Sequence, residues 1–359
     1  MQLVFRYPLH YLLPNYARRM TAIRNNWLCH PVASWLDYDF LPEEGRAIRS
    51  LTVILRTVGC SWRHCTMCGY WQEGAAVPQA NVLTQLAEAL RKSPTEEFML
   101  KIFTSGSFFD EREVSRETRA TIASMLRGRP ALKKLIVETR PEYLTTEKLT
   151  ELQVAEHLEL AIGLETADDL IRSRYIKKGF SFDEYRAAAL MARACGATVK
   201  TYLLLKPPFL SEKEAIDDVI ASAELAAPYS SAISLNLCTI QKNTLVEELW
   251  RHGYYRPPWL WSAVAAIRAI KSRGIMVLSD PVGAGAVRGP HNCGACDAAI
   301  SHAIRTFNVT QDPGVLERLE ALSCTCSAVW AAVLRYDPVL FHASPISGWS
   351  GKVIRKKDE

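Results

Sequence analysis

The chain has 359 residues, 48% of them hydrophobic, and a formal net charge of +5, a composition that supplies a sizeable core and excludes a disordered or fibrous protein. No run approaches the ~20 apolar residues of a membrane helix and the N-terminus carries no signal-peptide pattern, so a soluble cytoplasmic protein is expected. Ten cysteines, most in closely spaced groups, favour metal ligation over a disulfide framework in such a chain.

Residues 1–36 contain Arg6, Arg18, Arg19 and Arg24 among Tyr7, Tyr11, Tyr16, Trp27 and Trp35, with no Asp, Glu or Lys. Guanidinium groups pair with phosphates and rings stack on bases. The segment 1–48 therefore reads either as an RNA-contacting arm or as a helical layer packed on the main domain. Beyond it, strand-like runs at 51–58, 98–104, 133–139, 158–164, 198–205 and 232–240 alternate with helical patterns at 82–92, 116–127, 147–155, 182–195 and 212–226. Six β-then-α units imply an α/β protein with a parallel sheet, a partial (β/α)6 TIM-like barrel over 49–280. From about residue 244 the pattern changes to helices at 245–252 and 259–273 and a short strand at 275–278. The Gly- and Pro-rich stretch 281–290 then opens a small metal-binding segment, 281–359, which ends in the basic tail Lys352, Arg355, Lys356 and Lys357.

Cys60, Cys65 and Cys68 follow the first run directly, on the face where parallel α/β sheets carry their sites. Three thiolates leave one corner of a four-cornered metal site open. Structural zinc takes four protein ligands, whereas a cubane iron–sulfur cluster on three thiolates keeps one iron free for a substrate or cofactor. The triad thus reads as a catalytic 4Fe–4S site, with a zinc knuckle completed by His64 or His30 as the alternative.

Polar residues stand where later runs stop: Thr104-Ser105-Gly106-Ser107, Glu138-Thr139-Arg140-Pro141 and Gly163-Leu164-Glu165-Thr166. A small-residue turn lets backbone approach a ligand, the carboxylates accept from hydroxyls or an ammonium, and Arg140 suits a carboxylate. Capping or ion pairing is the plainer role for Glu165. Lys200 and Lys206 flank the fifth run, and Asn236, Gln241 and Lys242 lie on or after the sixth. They suit a substrate phosphate or carboxylate, or else are solvated. Cys293, Cys296, Cys324 and Cys326 supply four thiolates for a closed zinc site, with His291 or His302 as substitutes for one sulfur and a second iron–sulfur cluster as the other reading. Cys29, Cys195 and Cys238 read as packed thiols.

The spacing Cys60-x4-Cys65-x2-Cys68, continued by Gly69-Tyr70-Trp71, resembles the cluster loop of the radical S-adenosylmethionine (SAM) superfamily. It departs from the commonest form by one extra residue before Cys65 and by Met67 before Cys68. Together with Glu138-Thr139-Arg140-Pro141 and Gly289-Pro290-His291-Asn292-Cys293-Gly294-Ala295-Cys296, it makes most of the chain similar to the archaeosine-forming branch, RaSEA. The Glu-Thr-Arg-Pro element also occurs in the elongator catalytic subunit family, but no acetyltransferase-like extension is present.

The RaSEA resemblance implies an archaeal radical SAM lyase of tRNA modification, with SAM contacts at Tyr70, Ser105, Gly106, Ser107, Glu138, Arg140 and Glu165. Its implied substrate is a tRNA whose 7-deazaguanine has received a lysine from a transglycosylase-like partner, ArcS, and an electron donor is also needed. The implied reaction reduces SAM on the cluster to a 5′-deoxyadenosyl radical. That radical is expected to take hydrogen from the lysine carbon next to the nitrogen joined to the base, and C–N cleavage leaves the formamidine of archaeosine. Two readings compete: another tRNA-modifying radical enzyme, of the elongator or methylthiotransferase type, and a non-catalytic zinc protein that binds RNA.

Overall fold

A computed structural model describes residues 27–336. The expectations for Arg6, Arg18, Arg19 and Arg24 with their neighbouring tyrosines, and for the tail from Lys352, lie outside the described residues. Eight strands form a single sheet in sequence order: β1 (Ala33–Leu41), β2 (Arg46–Ile54), β3 (Phe98–Phe103), β4 (Leu132–Thr139), β5 (His157–Glu165), β6 (Thr198–Leu205), β7 (Ala232–Leu237) and β8 (Val277–Leu278). From β2 to β8 every pairing is parallel. The six runs read from the sequence are β2 to β7, and β8 is the short strand.

Two differences stand at the N-terminal side. Residues 33–41, expected within a helical segment, form β1 and pair antiparallel with β2. The turn Pro42-Glu43-Glu44-Gly45 joins them, Gly45 taking φ +65, a conformation that carries little penalty without a Cβ. This hairpin sets Leu41 opposite Arg46 and starts β2 five residues earlier than its apolar run, leaving 55–58 to lead into the cysteine loop.

Period-two alternation sorts the strand residues. Leu51, Val53, Leu100, Ile102, Leu135, Val137, Leu160, Ile162, Val199 and Leu235 face outward into the main core. They pack under α1 (Gln79–Leu90), α2 (Arg116–Leu126), α3 (Thr146–Glu151), α4 (Phe182–Ala194), α5 (Glu212–Ala226) and α7 (Leu260–Ser272), while α6 (Leu245–Arg251) belongs to a smaller cluster near the cysteine loop. Each Leu- or Ile-sized side chain so buried contributes roughly 1.5–3 kcal/mol. Ser181 and Ser211 start α4 and α5 with capping boxes to Glu184 and Glu214, which satisfy two otherwise orphaned N–H groups at each helix start.

α8 (Asp297–Thr310) packs on β1, β2, β8 and α7. Both ends of the sheet therefore reach the same helix, and the sheet curls into a partial barrel. Two short helices follow, α9 (Gly314–Glu317) and α10 (Cys326–Tyr336). Inside the curl, Leu41, Ile48, Met99, Ile136 and Ala161 form their own buried cluster. An ionic layer crosses it. Lys134 Nζ bonds Glu159 Oε2 at 2.7 Å and Glu43 Oε1 at 2.8 Å, Lys200 Nζ lies 2.9 Å from Glu159 Oε1, and Lys101 meets Asp39 at 2.5 Å. Burial alone would raise the Glu159 carboxyl, but Lys200 and Lys134 outweigh it and hold it at about 2. The amino-end mouth of the barrel is thus packed shut.

Candidate active site

The cysteine loop leaves the carboxyl end of β2 and is tied down on three sides. Thr66 donates its backbone N–H to Ile176 O at 2.9 Å and its hydroxyl to Tyr175 O at 2.6 Å, and Trp62 Nε1 donates to Lys177 O at 2.6 Å. On another side, Gly69 N donates to Gln241 Oε1 at 2.7 Å and Gln72 Nε2 to Lys242 O at 3.1 Å. On the third side is the turn after β3: a Cβ on Gly106 would fall 2.5 Å from Cys60 Cα, so only glycine allows that approach.

Met67, Ile176, Leu204, Cys238 and Ile240 pack around Cys65 and Cys68. Burial pushes the Cys65 thiol up to about 12 and Cys68 up to about 11, so both stay protonated until a metal takes the proton's place. The three sulfurs do not all lie within 4.8 Å of one another, nor does His30 or His64 join them. That spread does not suit one tetrahedral ion, whose ligands lie closer together.

Around the loop stand the strand ends. Ser107 N donates to Glu113 Oε1 and Thr57 Oγ1 to Glu113 Oε2, each at 2.6 Å, while burial pushes the Glu113 carboxyl up. Arg140 bonds Glu142 at 2.5 Å and Lys178 O at 3.1 Å, its guanidinium lying over the rings of Trp62 and Phe180. Glu165 ends β5 at φ +68, where the pairing register slips past Leu164, and its Oε1 meets Lys178 Nζ at 2.6 Å. Burial would lower the Lys178 ammonium, but Glu165 and Cys65 outweigh that and raise it. A Cβ on Gly163 would sit 2.8 Å from both Glu165 Oε1 and Lys178 Nζ, so the missing side chain makes room for the pair. Glu138 faces inward from β4. Burial pushes its carboxyl up to about 8, against a hydrogen bond from Tyr202 and the charge of Lys178.

Of the residues singled out from the sequence, Cys60, Cys65, Cys68, Ser105, Gly106, Ser107, Glu138, Arg140 and Glu165 thus converge on the carboxyl end of the barrel, with Tyr70 exposed on the loop. Asn236 lies on β7 with part of its surface open. The remaining candidates are engaged elsewhere: Lys206 pairs with Glu212 at 2.5 Å, Lys200 belongs to the ionic layer, and Gln241 and Lys242 anchor the loop. Lys178, Tyr202 and Glu113 escape a search of strand ends. Lys178 follows the π-helical turn Ile171–Ile176, whereas Tyr202, two positions after Lys200 on β6, is signalled only by period two.

Cys293, Cys296, Cys324 and Cys326 come together with all four sulfurs within 4.8 Å of one another. Neighbouring sulfurs stand 3.3–3.9 Å apart, near the ~3.8 Å edge of a tetrahedron built on ~2.3 Å metal–sulfur bonds. Asn292 Nδ2 donates to Cys296 Sγ at 3.3 Å and Trp261 Nε1 to Cys326 Sγ at 3.2 Å, the outer hydrogen bonds that steady thiolate ligands. Neither His291 nor His302 belongs to this group; His291 Nδ1 instead lies 2.8 Å from Gly289 O.

Residues 54–219 match the model of the Radical SAM superfamily. The chain is 46% identical over 318 residues to archaeosine synthase subunit beta of Methanosarcina acetivorans, covering 86% of this chain and 90% of that one. It is 41% identical over 291 residues to the protein of the same name in Thermococcus kodakarensis, covering 77% and 90%. A queuine lyase from Clostridium spiroforme, solved with SAM and queuine, aligns with a TM-score of 0.45 at 21% identity, over 60% of this chain and 86% of that one.

Proposed function

The chain belongs to the archaeosine synthase subunit beta family of radical SAM enzymes, and from that premise we propose that it cleaves the C–N bond of a lysine adduct on 7-deazaguanine in tRNA. The observation that carries this reading is the three-cysteine loop at the carboxyl end of the barrel, in a chain alike to those relatives over most of its length. Cys60, Cys65 and Cys68 hold a 4Fe–4S cluster in this reading, and cluster and SAM, when bound, supply a one-electron cleavage that generates a hydrogen-abstracting carbon radical. The turn Ser105-Gly106-Ser107, hard against Cys60, suits the amino-acid end of SAM, and Glu165 suits its ribose. Arg140 and Trp62 keep the 177–180 segment against the loop, which excludes water from the reacting atoms.

In this proposal zinc fills the four-cysteine site of a segment that starts at 281, and the barrel ends at about 280 but begins at β1, upstream of the expected start at 49. The enzyme works with ArcS as its partner subunit, and an external donor supplies the electron.

The test is an anaerobic assay of the reduced enzyme with SAM and tRNA bearing the lysine adduct. Archaeosine together with 5′-deoxyadenosine is expected; 5′-deoxyadenosine without archaeosine would reject this substrate. With deuterium on the lysine methylene next to the base-linked nitrogen, the label should appear in 5′-deoxyadenosine. Unlabelled product would move the abstraction elsewhere.

A further inference from the structure

Three carboxylates that point into the barrel from its strands have a cation. Asp39 pairs with Lys101, Glu159 with Lys134 and Lys200, and Glu165 with Lys178. Glu138 has no Lys, Arg or His within ion-pair distance among the described residues; it receives the Tyr202 hydroxyl. It lies four residues beyond Lys134 on β4, at the carboxyl end of the strand. Glu138 and Tyr202 keep some accessible surface, as do Gly163, Ser234 and Asn236 on neighbouring strands, so packing does not fill this stretch of the inner wall completely. The charged and titratable groups facing Glu138 are Tyr202 from β6, Lys178 from the segment after the π-turn, Glu113 from the loop after β3, Glu165 from the end of β5 and Tyr70 from the cysteine loop. Four of the five are acidic or phenolic, two of them carboxyls, and the lysine is already paired with Glu165.

We infer that Glu138, oriented by Tyr202, is the subsite for a planar N–H cation of the substrate: the amidinium through which lysine is joined to the deazaguanine. The inference rests on the function proposed above. An amidine is a strong base and is cationic at neutral pH. Its two N–H groups match the two oxygens of a carboxylate, as in Arg–carboxylate forks. A half-buried carboxyl without a cation keeps its proton, and an arriving amidinium takes that proton's place. SAM is also a cation. Its sulfonium has no N–H, however, and its ammonium is a point donor that does not present two parallel N–H groups.

The experiment uses the full-length enzyme with its cluster, tRNA bearing the lysine adduct, and the variants Glu138→Gln, Glu138→Asp and Tyr202→Phe. In Glu138→Gln the KM for tRNA should rise at least about tenfold, the order expected when one partner of a buried charge pair is lost. The change that SAM causes in the electron paramagnetic resonance spectrum of the reduced cluster should persist. Glu138→Asp should recover part of the affinity, and Tyr202→Phe should raise KM by less. An unchanged KM in Glu138→Gln and Tyr202→Phe overturns the inference. So does loss of the SAM-induced spectral change in Glu138→Gln, because the carboxylate would then hold SAM. Wild-type enzyme that forms no archaeosine overturns the functional reading and the inference with it, whereas equal archaeosine formation by wild type and Glu138→Gln at subsaturating tRNA overturns the inference alone.

Discussion

Glu165 shows what a single residue can store. A glutamate at φ +68 is held in a sparsely populated conformation that surrounding structure must over-determine. Here the slipped register of β5, the bare Cα of Gly163 and the ammonium of Lys178 do so. The carboxylate was legible in the sequence because it stands where an apolar run stops. Its partner was not, since Lys178 follows a helical turn and reads like any exposed lysine until the chain folds back under Trp62. Glu138 makes the corresponding functional prediction. Burial raises its carboxyl to about 8, so below that pH it is protonated and cannot pair with an amidinium. With tRNA subsaturating, kcat/KM should rise as pH climbs through about 8, and Glu138→Gln should lose that rising limb in the pH–rate profile.

At the scale of elements, the strands β2 to β7 were legible as apolar and β-branched runs between helical patterns, as a parallel sheet covered on both faces writes them. β1 was not, because its middle residues, Trp35, Leu36, Asp37 and Tyr38, are exposed at a sheet edge and show no buried face to give the period away. The cysteine loop was found by spacing alone. What holds it, the turn at 171–178 and the residues after β7, joins positions more than a hundred residues apart, which no local pattern reports. The four-cysteine site is a second such junction. Cys296 immediately precedes α8, while Cys326 begins α10 and accepts from Trp261 in α7. Cys296→Ser should therefore lower the thermal midpoint and the zinc content while iron at the cysteine loop stays near wild-type levels; metal analysis beside a melting curve checks both.

For the molecule as a whole, the barrel interior is polar at its base, where an apolar filling would be the simpler expectation. Glu159 is fully buried between Lys134 and Lys200, and removing its charge leaves Lys134 buried with only Glu43 to answer it. Glu159→Gln should cost about 3–5 kcal/mol, as breaking a buried pair does, read from the denaturant midpoint. The acid side follows from the sign of the shift: a carboxyl held at about 2 in the folded state and near ~4.3 when unfolded stabilises fully above roughly pH 5. That contribution fades as pH falls toward 2.

This floor also fixes the order of events. With the amino end filled by the ionic layer and its apolar cluster, on the proposed reading SAM and the modified base both approach from the carboxyl end, SAM before the tRNA that covers it. On that reading the adenosine fragment leaves after the modified tRNA, and departure of the large product gates the turnover.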